Sequence, residues 1–387
     1  MLSIEEKPLV RAAFLLCKKV RFICIPAGVI PVRNESNHKT VLMCCSDLSY
    51  RGGMVTVVRN YLSSKDWDEF DIRFVPTHVQ GGKLKVALHF AATYPKLSRM
   101  FKKHEVDLVH LHVAERGSFF RKALIAKSAK RRGIPVIFHH HAAEFMQFYD
   151  GLDNRGKDYV RESFELVDLN IVLSNAIKKQ LSSLFPKARF EVIENAVSTF
   201  SENPYSDSSR NIVFMGRVGD RKGAFDLIKA FDNALPSIGK EWHLLLCGDG
   251  EIERAKDEIS RHGLNGRAEC LGWISGEAKD DILRKAGVNV LPSYNEGLPM
   301  SILEAMSFGV PTISTRIAAI PEVINSGNNG ILIDPGDIGS LTSAIVYLCN
   351  FDEARLCMSD KAFSTVSDKY SFDQNISRLK ELYRTLC

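Results

Sequence analysis

Short apolar runs alternate with stretches of helical periodicity from residue 39 onward. The runs are rich in valine, isoleucine and leucine, as buried parallel strands are, and the periodic stretches between them are typical of crossover helices. Strands that alternate with helices form parallel sheets, so the sequence predicts an α/β protein. The predicted strands cover residues 41–45, 72–76, 107–112, 136–138, 169–173, 192–195, 212–215, 242–247, 269–272, 288–291, 311–314 and 331–333.

A polar segment without periodicity, residues 198–210, interrupts this alternation. It is rich in serine and contains proline, which is typical of a linker. A chain of 387 residues is long enough for two domains that each bury a core. We therefore predict α/β domains at residues 39–197 and 211–370, followed by an amphipathic helix within residues 371–387. The apolar face of that helix comprises Ile376, Leu379, Leu382, Tyr383 and Leu386.

The N-terminal extension, residues 1–38, is apolar but interrupted by basic side chains. It has no uninterrupted run of about 18 apolar residues, so a membrane-spanning helix is not expected. Charges inside the apolar stretch also fit a secretion signal poorly. Two interpretations remain: a basic amphipathic segment that lies on a membrane, or an extra helix packed on the first domain. The basic residues are Arg11, Lys18, Lys19 and Arg21.

Hydrophobic residues make up 45% of the chain and charged residues 25%, which is ordinary for a globular protein. Charge is unevenly distributed, because residues 1–200 contain 31 lysines and arginines against 20 acidic residues, a balance of +11. The remaining residues carry −6, which gives the total of +5. The basic first part suggests an anionic partner or an anionic membrane surface. No nucleic-acid-binding motif is present, so nucleic acid is not an expected partner.

The nine cysteines include no C-x-x-C pair, and several lie in apolar runs, where cysteine acts as a small hydrophobic residue. This usage favours a reducing compartment. We expect a cytoplasmic protein, either free or peripheral on the cytoplasmic face of a membrane.

The turn that follows the predicted strand at 288–291 has the features of an anion site. Small or turn-forming residues precede a predicted helix there, so free backbone amides and the positive end of the helix dipole face a ligand at the carboxyl end of the strand. Anionic oxygen is the group that such a turn binds best. The turn residues are Gly297, Leu298 and Pro299.

Two glutamates, Glu296 and Glu304, flank this turn. A carboxylate beside a phosphate site is suited to accept hydrogen bonds from hydroxyls, so the segment predicts a site for a phosphate that carries sugars. Each glutamate taken alone could equally be a solvated surface charge.

A second candidate site lies in the turn Gly-Arg-Val-Gly-Asp-Arg-Lys-Gly after the predicted strand at 212–215. Arg217 and Lys222 stand on either side of Gly219, and two cations at a strand-to-helix turn suit a diphosphate. A solvated loop is the alternative. Gly248-Asp249-Gly250 superficially resembles a dinucleotide fingerprint, but its third glycine is missing and we discount it.

Two predicted strands end in histidines, His110 with His112 on one, and residues 139–141 on the other. Ligand-binding groups collect at the carboxyl ends of parallel strands, so these histidines are expected to line a binding cleft, with one or two of them buried. Consecutive strand residues point to opposite faces, so the triplet cannot supply three ligands to one ion, and no metal site is predicted. His141 is the best candidate to hydrogen-bond a hydroxyl or phosphate.

Taken together, these features resemble the retaining glycosyltransferases of family 4, also called glycosyl transferases group 1. The resemblance extends from about residue 39 to 386 and is strongest over residues 216–337. It rests there on the G-R…K-G turn, the E-x7-E motif from Glu296 to Glu304, and the segment Asn-Asn-Gly-Ile-Leu-Ile-Asp-Pro-Gly-Asp. Weaker matches in the first domain are Gly52, Gly53, His141, Glu144 and Phe145.

The resemblance implies the GT-B fold, in which two Rossmann-like parallel-sheet domains face each other across a cleft and the C-terminal helix packs back on the first domain. It implies that the second domain binds a nucleotide-diphosphate-sugar and the first a saccharide or lipid-linked acceptor. By this analogy the donor-binding residues are Arg217, Lys222, Glu296, Gly297, Leu298, Pro299 and Glu304. The catalytic residues are Glu296, His141, Arg217 and Lys222. The acceptor-side residues are Gly52, Gly53, His112, Arg116, His141 and Glu144.

The implied activity is that of a retaining hexosyltransferase in polysaccharide, lipopolysaccharide or other glycoconjugate biosynthesis, with no metal or other cofactor. Neither the donor nucleotide, such as UDP or GDP, nor the sugar is specified. The acidic pair Asp66 and Asp68 resembles those of metal-dependent transferases, but the segment Asp66-Trp67-Asp68 precedes a strand in a polar loop and is interpreted as surface. Alternatives are a sugar-nucleotide epimerase on the same scaffold and a non-catalytic subunit of a polysaccharide assembly complex.

Overall fold

A computed structural model describes residues 38–387 of the chain. The two interpretations of the N-terminal extension therefore concern residues outside the described range. The chain divides into two compact units. Within the described range, unit 1 comprises residues 38–172 together with Lys178–Ile193 and Ile376–Cys387, and unit 2 comprises Leu173–Ile177 and Glu194–Asn375.

Unit 1 is built on a parallel six-stranded sheet of order β2-β1-β3-β4-β5-β6. Its strands are β1 (Lys39–Ser46), β2 (Phe70–His78), β3 (Leu108–Val113), β4 (Val136–His140), β5 (Leu169–Val172) and β6 (Phe190–Val192). The helices that accompany these strands along the chain are α1 (Gly53–Ser63), α2 (Lys83–Lys102), α3 (Gly117–Lys130), α4 (Phe145–Asp150), α5 (Asn154–Leu166) and α6 (Asn175–Leu184).

Unit 2 contains a second parallel six-stranded sheet, of order β12-β11-β10-β7-β8-β9. Its strands are β7 (Asn211–Met215), β8 (His243–Cys247), β9 (Ala268–Gly272), β10 (Ala286–Leu291), β11 (Thr312–Thr315) and β12 (Gly330–Ile333). The helices that follow β7 along the chain are α7 (Ala224–Ala234), α8 (Ile252–Arg261), α9 (Glu277–Arg284), α10 (Met300–Ser307), α11 (Ile320–Val323), α12 (Ile338–Asn350), α13 (Asp352–Lys369) and α14 (Phe372–Leu386).

The burial of the central strands explains why they could be predicted from apolar runs in the sequence. Every residue of β3, β4 and β10 is buried, because helices cover both faces of a parallel sheet. The predicted α/β class and parallel sheets are therefore confirmed. In both sheets the strand order reverses direction next to the first strand, and loops at the carboxyl ends of the strands near that point are where α/β folds place ligands.

One predicted strand is displaced. Residues 192–195 were expected to be extended in the sheet, whereas β6 ends at Val192. The amide of Ile193 still donates to the Val172 carbonyl, but the Asn195 side chain turns away and donates to the carbonyl of Leu298 at 2.7 Å. The chain leaves the sheet here because its polar groups find partners elsewhere.

The predicted C-terminal helix is α14, and the part from Ile376 onward belongs to unit 1, as expected. Tyr383 is fully buried, stacks on Trp67 with ring centroids 5.9 Å apart and contacts the Phe70 ring edge-on. The interpretation of Asp66-Trp67-Asp68 as surface is correct for the exposed aspartates but wrong for Trp67, which is buried. Periodicity could not show this, since the tryptophan's partner lies more than 300 residues away.

The predicted linker, residues 198–210, lies within unit 2 and is packed there. Arg355, which is fully buried, donates to the Tyr205 hydroxyl at 2.8 Å and to the Asp207 carbonyl at 2.9 Å. The segment has no helix or strand, yet it is anchored to α13 through this arginine.

Two further features concern the described part of the chain. Among the helices from residue 38 onward, none combines the length and apolar character needed to cross a bilayer. The seven cysteines of this range are free thiols: Cys44, Cys45, Cys247, Cys270, Cys349, Cys357 and Cys387.

Candidate functional site

A buried ion pair joins two loops of unit 2. Glu296, in the loop between β10 and α10, is only 7% exposed and pairs with the ammonium of Lys222, which lies in the loop after β7. The same Glu296 oxygen, Oε1, accepts a hydrogen bond from the Ser293 hydroxyl at 2.7 Å. Removing one charge would leave the other buried without compensation, so the pair fixes both loops as one structure.

The Lys222 loop is held against the exit of β10 by close backbone contacts. Gly223 has φ +68, and a Cβ at this position would lie 2.2 Å from the Pro292 carbonyl oxygen, so only glycine fits. The Arg221 guanidinium donates to the Asn295 carbonyl at 2.9 Å, and the Tyr294 amide donates to the Arg221 carbonyl at the same distance. These contacts position Lys222 beside Glu296.

The Gly-Asp-Gly segment that we discounted as a nucleotide fingerprint has a structural role. A Cβ on Gly248 would lie 1.7 Å from the Gly216 carbonyl oxygen, and one on Gly250 would lie 2.3 Å from the Val218 carbonyl oxygen. The Val218 amide donates to the Asp249 carbonyl at 2.6 Å, which extends the β7–β8 pairing beyond the strands. The glycines therefore allow the Arg217 loop to approach β8 closely.

A cavity of about 230 Å³ lies along this loop. Arg217 is exposed beside it, and Lys222 forms another part of its wall. The acidic residues Asp220 and Glu251 also line the cavity, but Arg254 pairs with both at 2.9 Å. Lys222 is paired with Glu296, but Arg217 makes no ion pair within residues 38–387, so the cavity wall offers a free cation to an anion. Its lining residues are Arg217, Val218, Gly219, Asp220, Arg221, Lys222 and Glu251.

The turn before α10 presents free amides from a fixed backbone. The carbonyl of Leu298 accepts from the Asn195 side chain, and that of Gly297 accepts from the Ala319 amide at 3.3 Å. Within residues 38–387, the amides of Gly297 and Leu298 donate no hydrogen bond. Pro299 is the N-cap of α10 and offers no side-chain cap, so the N-terminus of the helix is available to an anion.

Glu304 lies in the second turn of α10 and is largely buried. Its Oε1 atom accepts a hydrogen bond from the Lys279 ammonium of α9 at 2.7 Å. Its other oxygen makes no hydrogen bond within the described residues, so it can accept one from a ligand hydroxyl. Lys279 was missed in the sequence, because a partner 25 residues away on another helix leaves no spacing signal.

In unit 1, two predicted residues meet at the carboxyl ends of β3 and β4. The Arg116 guanidinium lies 3.4 Å from Glu144 Oε2, and Arg116 has φ +59 where it caps the N-terminus of α3. Gly52 has φ +141 before α1 and has open space around the Cβ position, and Gly53 begins the helix. These are exposed backbone and charged groups that a ligand could reach.

The histidines are more deeply buried than expected. Four of the five are buried, namely His110, His112, His139 and His140, and only His141 is partly exposed. The expectation that the two clusters line a cleft is therefore corrected for these four. His112 is fully buried and cannot contact an acceptor directly; it contacts His141 at 2.9 Å and could act on an acceptor only through it. Burial lowers the pKa of His141 to about 3, so its imidazole is neutral at physiological pH.

The two α/β units, each with a six-stranded parallel sheet, have the GT-B glycosyltransferase fold. The structure of sucrose-phosphate synthase from Thermosynechococcus elongatus matches with a TM-score of 0.73 at 16% identity, covering 90% of this chain and 99% of that chain. The Anabaena protein HepE in complex with UDP-glucose matches with a TM-score of 0.70 at 18% identity, covering 90% of this chain and 100% of that one.

Family comparisons agree with the fold. Residues 39–199 match the family described as Glycosyltransferase Family 4, and residues 198–365 match Glycosyl transferases group 1. An uncharacterized glycosyltransferase of Methanocaldococcus jannaschii is 24% identical over 362 residues, which is 89% of this chain and 98% of that protein. The chain belongs to the glycosyltransferases of family 4.

Proposed function

We propose that this protein is a retaining glycosyltransferase that moves a sugar from a nucleotide-diphosphate-sugar to a hydroxyl of a saccharide or lipid-linked saccharide. The observation that carries the proposal is the buried Lys222–Glu296 pair, which lies in the same unit as the cavity at Arg217 and the free amides before α10. The Anabaena protein HepE, whose fold is similar, was solved with UDP and with UDP-glucose, which supports a nucleotide-sugar as the donor.

The charge distribution suits the departure of a nucleotide diphosphate. Negative charge gathers on the diphosphate as the sugar becomes oxocarbenium-like, and preorganised donors stabilise that charge without reorganising. Arg217 and Lys222 would provide cations for the phosphates, and the amides of Gly297 and Leu298 would donate to an oxygen. No metal is required for this step, because the chain supplies the positive charge itself.

Glu304 and Glu296 would have different roles. The free oxygen of Glu304 is suited to a ribose hydroxyl, while its ion pair with Lys279 fixes the carboxylate. Glu296 is held by Ser293 and Lys222 and would position the donor sugar and its phosphate. No carboxylate is nominated as a nucleophile, so we prefer attack by the acceptor hydroxyl on the same face that the nucleotide leaves. His141, Arg116 and Glu144 of unit 1 would recognise the acceptor.

Thermal unfolding with a panel of UDP-, GDP-, ADP- and dTDP-sugars tests the donor assignment. A ligand that binds only the folded protein raises its stability with concentration, by about 2.7 kcal/mol at 100 times the dissociation constant. One nucleotide class should raise the melting temperature in wild-type protein and less in the Arg217→Ala variant. No shift with any member of the panel would refute the proposed donor.

Two rival activities make different predictions. An epimerase would convert the donor without an acceptor, so a change in the sugar configuration of the donor, with no transfer product, would favour it. A non-catalytic subunit would bind no nucleotide-sugar at all. The intact set of Arg217, Lys222, Glu296 and Glu304 favours the transferase over both.

A lipid-linked acceptor at a membrane surface accords with the basic first part of the chain, which carries +11 over residues 1–200. Flotation with vesicles that contain an anionic lipid tests this. Full-length protein should float, and a variant that lacks residues 1–37 should float less. Failure of both proteins to float would remove the membrane part of the proposal and leave the donor assignment intact.

A further inference from the structure

Three histidines of unit 1 converge on one face of the sheet. β3 and β4 run parallel, with His112 paired opposite His139. Alternate residues of a strand share a face, so His110 lies on the same side as His112, and His141 on the same side as His139. His140 points to the other face, where it stacks on Phe164 and contacts Asn170 at 3.0 Å.

The converging rings are close enough to share an ion. One nitrogen from each of His110, His112 and His139 lies within 4.8 Å of the others. The contact between His110 Nε2 and His139 Nδ1 is 3.1 Å. Ligand nitrogens in a tetrahedral zinc site lie about 3.3 Å apart, given Zn–N distances of about 2.0–2.1 Å. The His110–His139 pair is already near this spacing, and the ligand nitrogens of all three rings lie within 4.8 Å of one another.

Two nitrogens in this cluster lack partners. His112 is 0% exposed and His139 is 1% exposed, and the Nε2 atom of each makes no hydrogen bond within residues 38–387. Leaving a buried polar atom unsatisfied is costly, so such atoms are rare without a reason. A cation held by His112 Nε2 would satisfy that lone pair, and His139 would reach the same ion through Nδ1, the nitrogen that faces His110.

The remaining ring nitrogens have the partners that hold metal-binding histidines in place. His110 Nδ1 contacts the Tyr383 hydroxyl at 2.5 Å, and His112 Nδ1 contacts His141 Nε2 at 2.9 Å. In many metal sites the nitrogen away from the ion is hydrogen-bonded in this way, which fixes the tautomer and the ring orientation. The Nε2 atoms of His110 and His112 are then the ones directed at the ion.

The electrostatics of the cluster also suit coordination. Burial lowers the pKa of His110 to about 3 and those of His112 and His139 well below the usual value, so all three are neutral imidazoles, the form that binds metals. Lys122 opposes a cation near His112.

We propose that His110, His112 and His139 form a binding site for a transition-metal ion with the ligand preference of Zn²⁺. The ion would link β3 to β4 and, through the contact of His110 with Tyr383, would tie both strands to α14. The site goes beyond the proposed transferase activity, in which no step requires a metal. It was not predicted because we considered the triplet at 139–141 alone, whereas the ligands alternate along two neighbouring strands.

Metal content and cobalt absorption test the site directly. Full-length protein made without an oligohistidine tag would be stripped with a chelator, incubated with excess Zn²⁺, desalted and assayed for metal. We expect one zinc ion per chain, and on Co²⁺ substitution the visible absorption bands of a cobalt ion bound by imidazole nitrogens. Wild-type protein that retains no stoichiometric zinc and shows no such bands would overturn the proposal.

The matched variants are His139→Asn and His140→Asn, because these neighbours on β4 face opposite sides of the sheet. Affinity for zinc should fall at least about 100-fold in the first and stay within about twofold in the second. Tyr383→Phe, which removes only a supporting hydroxyl, should weaken binding about 10-fold. Equal affinity in His139→Asn and wild type would refute the proposal, and so would an equal loss in His140→Asn.

Thermal unfolding with and without zinc covers the case in which a variant folds poorly. Zinc should raise the melting temperature of wild type and of His140→Asn, and should have no effect on His139→Asn. The response to the nucleotide-sugar identified for unit 2 serves as the second readout. It should persist in His139→Asn, so failure of the metal site and failure of the transferase assignment are distinguishable.

Discussion

The two units place different kinds of polar group at the carboxyl ends of similar sheets. In unit 2 the strand-end loops carry the charged pair Lys222–Glu296, the helices α9 and α10 carry the pair Lys279–Glu304, and Lys222 also lines a cavity. In unit 1 the corresponding strands carry neutral histidines that turn into the core. The shared architecture therefore does not determine whether a strand end binds a ligand; the local balance of charge and burial does.

The difference also shows how each unit tolerates its buried polar atoms. Unit 2 neutralises each buried charge with an opposite one, and a ligand can compete for the same groups. Unit 1 instead keeps its buried histidines neutral, whereas Lys122 is fully buried and burial lowers its pKa only to about 8, so it still carries its charge at neutral pH. The charged pairs of unit 2 can therefore bind an ionic ligand, whereas the neutral histidines of unit 1 reduce the free-energy cost of burying polar side chains.

The largest effect should follow from Lys222→Ala. If Lys222 stabilises the leaving diphosphate, kcat/KM for sugar transfer should fall about 1000-fold, or about 4 kcal/mol of transition-state stabilisation. Steady-state kinetics with the donor identified by thermal shift measure this. Lys229→Ala, an exposed lysine on α7, is the control and should be unaffected.

Because Lys222→Ala also leaves Glu296 buried and unpaired, a second variant separates catalysis from folding. Lys222→Met combined with Glu296→Gln removes both charges at similar volume, so the free energy of unfolding should recover while activity remains low. Recovery of activity in the double variant would show that the pair is only structural.

The next effect concerns stability in unit 1. The pKa of Lys122 is about 8 in the folded protein, below the usual value of about 10.4, so the unfolded chain binds more protons between these values and wild-type stability rises with pH across that range. Lys122→Met removes this penalty and should stabilise the protein by on the order of 3 kcal/mol below pH 8. The gain should shrink as pH approaches 10.

Urea unfolding at pH 6.5 and pH 9 measures both the gain and its pH dependence. Lys96→Met, at an exposed position of α2, is the control and should change the free energy of unfolding by less than about 0.5 kcal/mol at either pH. If Lys122→Met raised the free energy of unfolding equally at both pH values, burial of the charged Lys122 ammonium would not be the cause.

Glu304→Ala should affect donor binding more than turnover. Loss of a charged hydrogen-bond acceptor for a ribose hydroxyl costs about 1.5–3 kcal/mol, so the dissociation constant of the donor should rise about 10- to 100-fold while kcat changes little. Calorimetric titration measures the dissociation constant of the donor. Glu277→Ala, an exposed acid on α9, is the control, and equal donor affinity in Glu304→Ala and wild type would exclude the ribose role.

The smallest effect should come from Arg116→Ala in unit 1. Its guanidinium is mostly exposed and pairs with Glu144 at 3.4 Å, so solvent screens its charge. We expect the KM for the acceptor to rise about threefold, with donor KM unchanged. A larger rise in donor KM than in acceptor KM would contradict the proposed role of Arg116 in acceptor recognition.

Much of the fold could be predicted because each sheet is buried on both faces. Strands such as β3 and β10 are therefore apolar throughout and stand out between periodic helices. The C-terminal helix α14 could be predicted because its apolar residues recur on one face. The end of β6 was not, because Asn195 leaves the sheet to bond a carbonyl more than 100 residues away.

Arg217, Lys222, Glu296 and Glu304 could be proposed from the sequence because they are near in sequence or belong to a familiar motif, and their roles stay predictions. The contacts that fix the candidate site could not be predicted, because they arise from chain segments that meet only in the fold. The carbonyl of Gly216 approaches Gly248, and Lys279 reaches Glu304 from a different helix. The sequence around such glycines and lysines gives no signal of these contacts, which become evident only in the folded structure.

The return of the last residues to unit 1 has a consequence for biosynthesis. Unit 1 includes Ile376–Cys387, and the buried Tyr383 completes the packing around Trp67 and His110. Domains generally fold as they leave the ribosome, N-terminal part first. Here unit 1 lacks one of its own core side chains until Tyr383 has been made, so its core cannot be completed before all of Glu194–Asn375 in unit 2 has been translated.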